Sequence, residues 1–200
     1  MLIISIIFCV FIFVFWKPAL SVIPFVTYTT GYLSVFFLVV SLVLGPINLI
    51  LKRKNPISTY IRRDIGIFGG VLGVIHSSVG FFMHFTGRPW LYFMKEVGDD
   101  LVIRLGNFGL ANFTGLFGAL ILILLIIISN DYFLGKLKSV KWKNLQRLTY
   151  LIFILVISHC VFYRLNAKKE DLILFLYLPL FLIVLVFQLV GIWLKKRKGV

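Results

Sequence analysis

Residues 109–130 read GLANFTGLFGALILILLIIISN. The run carries no charge, and from Leu120 to Ile128 it is entirely Leu and Ile. A helix rises about 1.5 Å per residue, so a run of this length crosses a hydrocarbon core of about 30 Å. A membrane strand would alternate apolar and polar side chains, and this run does not. Lipid offers no water to satisfy backbone N–H and C=O groups, so a spanning helix is the economical reading.

Further apolar runs lie on either side, at about 2–16, 22–51, 66–86, 148–164 and 171–194. The chain of 200 residues is 60% hydrophobic, with a mean hydropathy of +1.04, whereas soluble domains lie nearer roughly 45–50% apolar. The longest polar loop, roughly 87–108, is too short to hold a core of its own. The expectation is an all-α integral membrane protein, a six-helix transmembrane bundle forming one domain over 1–200. The run at 2–16 lacks a basic n-region and a small-residue cleavage site, and reads as a retained helix. Gly45-Pro46 predicts a kink or an early stop in the second span. No internal repeat or low-complexity linker is evident.

The net charge of +14 would suggest nucleic acid in a soluble protein. Here the Lys and Arg residues concentrate in short loops, where they set membrane orientation. The loops at 52–63 and 131–147, together with the tail from Lys195, hold fourteen of the 21 basic residues. The opposite side holds Lys17, Arg88, Lys95, Arg104, Arg164, Lys168 and Lys169, with most of the acids. Both termini are therefore expected on the cytoplasmic side, with membrane lipid and no nucleic acid as partner. Trp16, Trp90, Trp142 and Trp193 fall near span ends, as an aromatic belt requires. Cys9 and Cys160 lie within apolar runs and give no disulfide framework.

Ionisable residues inside a membrane are costly and mark candidate functional sites. His76 lies about ten residues into the third span from its cytoplasmic end, and His159 about eleven into the fifth, so about 1.5 Å per residue sets both imidazoles at matching depth. Two neutral imidazoles facing one another suit the axial positions of a haem iron. Gly73 and Gly80 share the helix face of His76, and Gly66 and Gly69 extend that stripe, which offers room for a flat macrocycle. The same features have a plainer use. Glycine stripes also serve helix packing in membranes, and a lone buried histidine can simply bond a carbonyl or a hydroxyl. His84, in Phe81-Phe82-Met83-His84-Phe85, is expected as a residue of the outer interface, with a role at an electron exit as the alternative. Arg88 and Arg164, on the same side, are candidates for haem propionates or an anionic acceptor, with snorkelling as the plain alternative.

Two blocks carry a family resemblance. One is Arg62-Arg63-x-x-Gly66 followed by His76. The other runs from Gly115 through Asn130 and Leu134-Gly135 to Trp142-x-x-Leu145-Gln146-Arg147-Leu148-x-Tyr150-Leu151 and ends at His159. Over about 60–165 the chain resembles the ferric-reductase-like transmembrane domain family, and within it the MsrQ-type haem-binding membrane subunits of periplasmic methionine sulfoxide reductase systems. The resemblance implies a six-helix b-type haem protein of the bacterial inner membrane, the electron-transfer subunit of an oxidoreductase system. His76 and His159 would be its haem iron ligands. Electrons would come from a separate cytoplasmic flavin reductase or a quinol donor and pass to an outer-side acceptor protein or ferric chelate. The family has a further histidine thirteen residues before the one matching His159, and here that position is Gln146. The position thirteen before His76 is Arg63. One haem is therefore expected, with a flavin or quinone near Arg62, Arg63 and Arg147 bridging to the cytoplasmic side. No Gly-rich dinucleotide fingerprint opens a βαβ unit in the chain. The competing expectations are a haem-free membrane scaffold and a small transporter subunit with an inherited fold.

Overall fold

The computed structural model describes residues 21–52 and 57–197. The expected span 2–16, with Cys9, lies outside the described residues. Among the described residues six α-helices follow in order: α1 (Val22–Ile50), α2 (Ile57–Gly80), α3 (Asn107–Ile128), α4 (Asp131–Gln146), α5 (Leu148–Asn166) and α6 (Leu178–Arg197). A π turn, Ile173–Tyr177, leads into α6. Between α2 and α3 lie a 3-10 turn, Pro89–Tyr92, and two strands, β1 (Met94–Val97) and β2 (Asp100–Ile103).

Among the described residues four helical stretches are long and apolar enough to cross a membrane: Val22–Ile50, Asn107–Ile128, Asp131–Asn166 and Ile173–Arg197. Many of the exposed residues on α3 and α6 are apolar, including Leu120 and Ile127 on α3 and Val186, Leu189 and Ile192 on α6. Such surface is costly in water and free of cost against lipid chains. The chain is an all-α membrane protein.

Six spans are not what the described residues show. The expected third span, 66–86, is α2, which begins at Ile57 and stops at Gly80. Its early turns include Arg62, Arg63 and Asp64, so its apolar stretch is short. The expected loop 131–147 is mostly helix α4. Asn130 caps it by accepting the Phe133 N–H at 3.0 Å, and Asp131 sits favourably in its first turn. Lys138, at φ +58, kinks it. The expected outer loop, about 87–108, holds an antiparallel hairpin pairing Met94 with Ile103 and Val97 with Asp100, closed at Gly98, whose φ is +63.

The described residues form two compact units, one of those up to Val79 together with those from Leu180, the other of Gly80–Pro179. In the first unit α1 runs past Pro46 to Ile50, so the expected early stop does not occur. A proline removes the donor for the carbonyl four residues back, here Leu42. Gln188 of α6 supplies the replacement, its Nε2 donating to the Leu42 carbonyl at 2.8 Å. One turn on, Gly191 lies against the Pro46 ring, where a Cβ would come within 3.3 Å of Cγ. Helices α1 and α2 are joined by a reciprocal pair: Ser41 Oγ donates to the Arg62 carbonyl at 3.2 Å, and Arg62 Nε donates to the Ser41 carbonyl at 2.9 Å.

In the second unit α3 packs along α5, with Ala111, Leu125, Ile152 and Phe153 in its core. Helix α4 is fastened to the end of α3. Trp142 Nε1 donates to the Ile128 carbonyl at 2.9 Å, and Gln146 Nε2 donates to Ser129 Oγ at 2.9 Å.

Candidate functional site

Each unit holds one of the two mid-helix histidines, and each ring is supported in the same way. His76 on α2 directs Nδ1 at the Thr27 carbonyl of α1, 2.8 Å away. His159 on α5 directs Nδ1 at the Ala111 carbonyl of α3, also 2.8 Å away. A carbonyl only accepts, so both rings carry their proton on Nδ1 and the lone pair of each falls on Nε2. That tautomer, with Nδ1–H held by a carbonyl, is the one a metal-ligating histidine commonly uses.

A glycine opens each carbonyl to its histidine. Thr27 and Ala111 each lie four residues before a glycine, Gly31 and Gly115. Their carbonyls are the helical acceptors of the Gly31 and Gly115 N–H groups, and each has a second lone pair to offer. A Cβ at Gly31 would stand 2.7 Å from His76 Nδ1, and one at Gly115 would stand 2.6 Å from His159 Nδ1. Either distance is a collision, so the ring positions require glycine. Both glycines follow a threonine whose hydroxyl turns back into its own helix: Thr30 Oγ1 to the Val26 carbonyl at 2.7 Å, and Thr114 Oγ1 to the Leu110 carbonyl at 2.8 Å. These hydroxyls are thereby satisfied inside an apolar helix.

Sequence reasoning placed the supporting glycines on the helix of His76 itself. Gly69, expected against a macrocycle, is instead a packing contact with α1, where a Cβ would stand 2.8 Å from the Phe37 Cβ. Gly73 is buried in α2 and its carbonyl accepts from Ser77 Oγ at 2.9 Å, while Gly80 is the last residue of α2. The repeated Thr-Gly pair was the available signal for the glycines that touch the rings. Arg63 lies half-buried in α2.

His84 does not continue α2. It lies in the turn beyond Gly80, exposed, with its N–H donating to Tyr92 Oη at 3.2 Å. Tyr92 Oη in turn donates to the Phe81 carbonyl. Burial pushes the Tyr92 phenol up from its usual pKa, against the smaller opposing pull of the His84 N–H. The His84 ring stacks on Tyr163 at 6.4 Å between centroids, and Tyr163 meets His159 edge-on at 4.9 Å. Tyr163 is held by its hydroxyl, which donates to Asn112 Oδ1 at 2.6 Å, and Asn112 Nδ2 donates to the Tyr92 carbonyl at 3.1 Å. Aromatic rings thus run from His159 to the end of α5 and the turn at His84.

The other candidates separate. Arg88 pairs with Glu96 of β1 at 2.7 Å, both side chains about half exposed, so it is engaged at the hairpin surface. Arg164 occupies the last turn of α5, where its charge favours the helix C-terminus. Gln146 is committed to Ser129 through its amide. Among the described residues no three His, Cys, Asp or Glu side chains gather as a metal cluster; a haem, whose ring nitrogens supply the other ligands, asks only for axial donors.

No protein-family model, no curated protein and no solved structure matches the chain. The functional reading rests on the residues themselves.

Proposed function

We propose that the chain is a b-type haem electron-transfer protein of a bacterial inner membrane, in which His76 and His159 would hold the haem iron. The observation that carries this reading is the duplicated support of the two imidazoles. In both, a backbone carbonyl holds Nδ1–H and a glycine clears the approach, which fixes the ring in the tautomer that a metal-ligating histidine commonly uses. A bound haem b supplies one-electron exchange between ferric and ferrous iron. The chain's own residues fix the two rings, exclude water with apolar helices, and continue from His159 through Tyr163 toward His84.

The ferric-reductase-like, MsrQ-type six-helix architecture belongs to this proposal. So do cytoplasmic termini, a separate flavin reductase or quinol as donor, and an acceptor protein or ferric chelate on the outer side. Gln146 bonded to Ser129 supports a single haem, because an amide is a poor iron donor and this one is engaged with α3. Arg62, close to where a second ligand would precede His76, is likewise engaged with Ser41. The contrary reading is a haem-free scaffold, favoured by the fact that an Nδ1–carbonyl bond also suffices for a packing histidine.

An absorption spectrum of the purified protein separates the two. The expected result is a Soret band with sharp reduced α and β bands, and about one haem per chain by pyridine haemochromogen. Protein expressed with ample haem that shows no Soret band would sink the proposal.

A further inference from the structure

At the His84 end of the second unit lies a cavity of about 150 Å³, lined by His84, Thr86, Leu91, Tyr92, Arg104 and Phe108. Cavities of about this size admit a benzene ring. Arg104 follows directly on β2, with its N–H donating to the Phe93 carbonyl at 2.8 Å. Its guanidinium carbon stands 5.0 Å over the Phe108 ring. Gly109 permits this placement, since a Cβ there would fall 1.8 Å from the Arg104 carbonyl oxygen. The Arg104 Nε is buried and has no hydrogen-bond partner among the described residues. Glu96, a carboxylate on the same hairpin, is taken by Arg88. A buried cationic donor without a partner costs stability until an anion meets it.

We infer that this cavity binds a carboxylate, with the Arg104 guanidinium as its principal donor and Leu91, Tyr92 and Phe108 as walls for a short apolar or aryl group. Arg104 meets the carboxylate oxygens with parallel N–H donors, a geometry that suits guanidinium better than ammonium. The Thr86 hydroxyl and the His84 ring supply further polar contacts. Two sources offer this chemistry: a small free carboxylate, or a propionate arm of a haem ligated at His159. Only the second source rests on the haem proposal.

The probe is benzoate, titrated calorimetrically into detergent-purified protein, haem-loaded and haem-free, with benzyl alcohol as the uncharged isostere. In haem-free protein benzoate should saturate one site and benzyl alcohol should bind about tenfold or more weakly, the discrimination expected of a charge-assisted hydrogen bond. Saturation of both forms assigns the site to a free carboxylate. Saturation of the haem-free form alone assigns it to a propionate. Arg104→Gln should abolish the saturable phase, while Lys95→Gln, which removes an exposed charge from the same hairpin, should leave it unchanged. If Arg104→Gln does not fold, Thr86→Val should weaken benzoate, and the benzoate-to-alcohol ratio in unaltered protein still decides. Benzyl alcohol binding within about threefold of benzoate, or benzoate binding undisturbed by Arg104→Gln, overturns the inference. A protein that never takes up haem defeats the functional proposal and leaves the benzoate test intact.

Discussion

The supports of His76 and His159 share the Thr-Gly pair, Thr30-Gly31 and Thr114-Gly115, and differ in the residues around it. Beside His76 the accepting residue is Thr27, whose hydroxyl is buried and without a hydrogen-bond partner among the described residues. Beside His159 it is Ala111, which has no hydroxyl. His159 meets an aromatic ring held by Asn112, whereas His76 is followed in α2 by Ser77, bonded back to Gly73. What the two share is a main-chain carbonyl at 2.8 Å and an absent Cβ. The orienting group is therefore the backbone, and the residue type that supplies it is incidental. A contact of this kind leaves no mark in the sequence at the accepting position, only at the glycine.

The largest expected effect comes from filling that space. Gly31→Ala and Gly115→Ala each push a methyl group into an imidazole, and overpacking of this sort costs about 1–3 kcal/mol. Haem retained per protein should fall in both variants toward the level of His76→Ala and His159→Ala. Retention of a normal low-spin spectrum by either glycine variant would break the equivalence of the two supports.

Gln188→Leu tests a feature of the first unit that the second lacks, the proline inside α1. The Leu42 carbonyl would lose its substitute donor, at a cost of about 1–3 kcal/mol for a buried unsatisfied group. Thermal unfolding of the detergent-solubilised protein should register the loss. A simultaneous Pro46→Ala change, which restores a backbone N–H, should recover most of it; no recovery would mean that Gln188 acts by packing instead.

Tyr163→Phe is smaller. It removes the 2.6 Å bond to Asn112 and should cost about 1 kcal/mol, with a shift in the spectrum or potential associated with His159. Unchanged stability would show that Asn112 finds another donor.

Thr27→Ala is the smallest and sharpens the comparison most. It gives His76 the same accepting residue as His159 and removes an unpartnered hydroxyl. Stability and haem content should stay within about 0.5 kcal/mol of the unaltered protein or improve. A marked loss would show that the Thr27 hydroxyl has a part in the site.

The legibility of each element followed its composition. Residues 109–130 announce α3 because nothing but a lipid-spanning helix tolerates so long an apolar run, and 171–194 announces α6 for the same reason. Helix α4 is invisible to that logic. Its Lys residues look like a loop, although Asn130 and Asp131 are a helix start that could have been read. The start of α2 was placed too late because Arg62 and Arg63 resemble a loop, whereas Arg62 is tied to Ser41 inside the helix pair. Both candidate ligands were legible as isolated histidines in apolar runs. Their supports were not, since the glycine stripe on α2 drew attention to the wrong helix and a carbonyl has no letter of its own.

The empty Cβ positions at Gly31 and Gly115 also bear on how the protein is encoded. Any single-base change to the first or second position of a glycine codon installs a side chain or a stop. Neither site has a conservative neighbour one mutation away. A random-mutagenesis screen for lost function should therefore collect hits at these two inconspicuous helix positions about as readily as at the histidines they face. Their map would trace both ring supports without any knowledge of the structure.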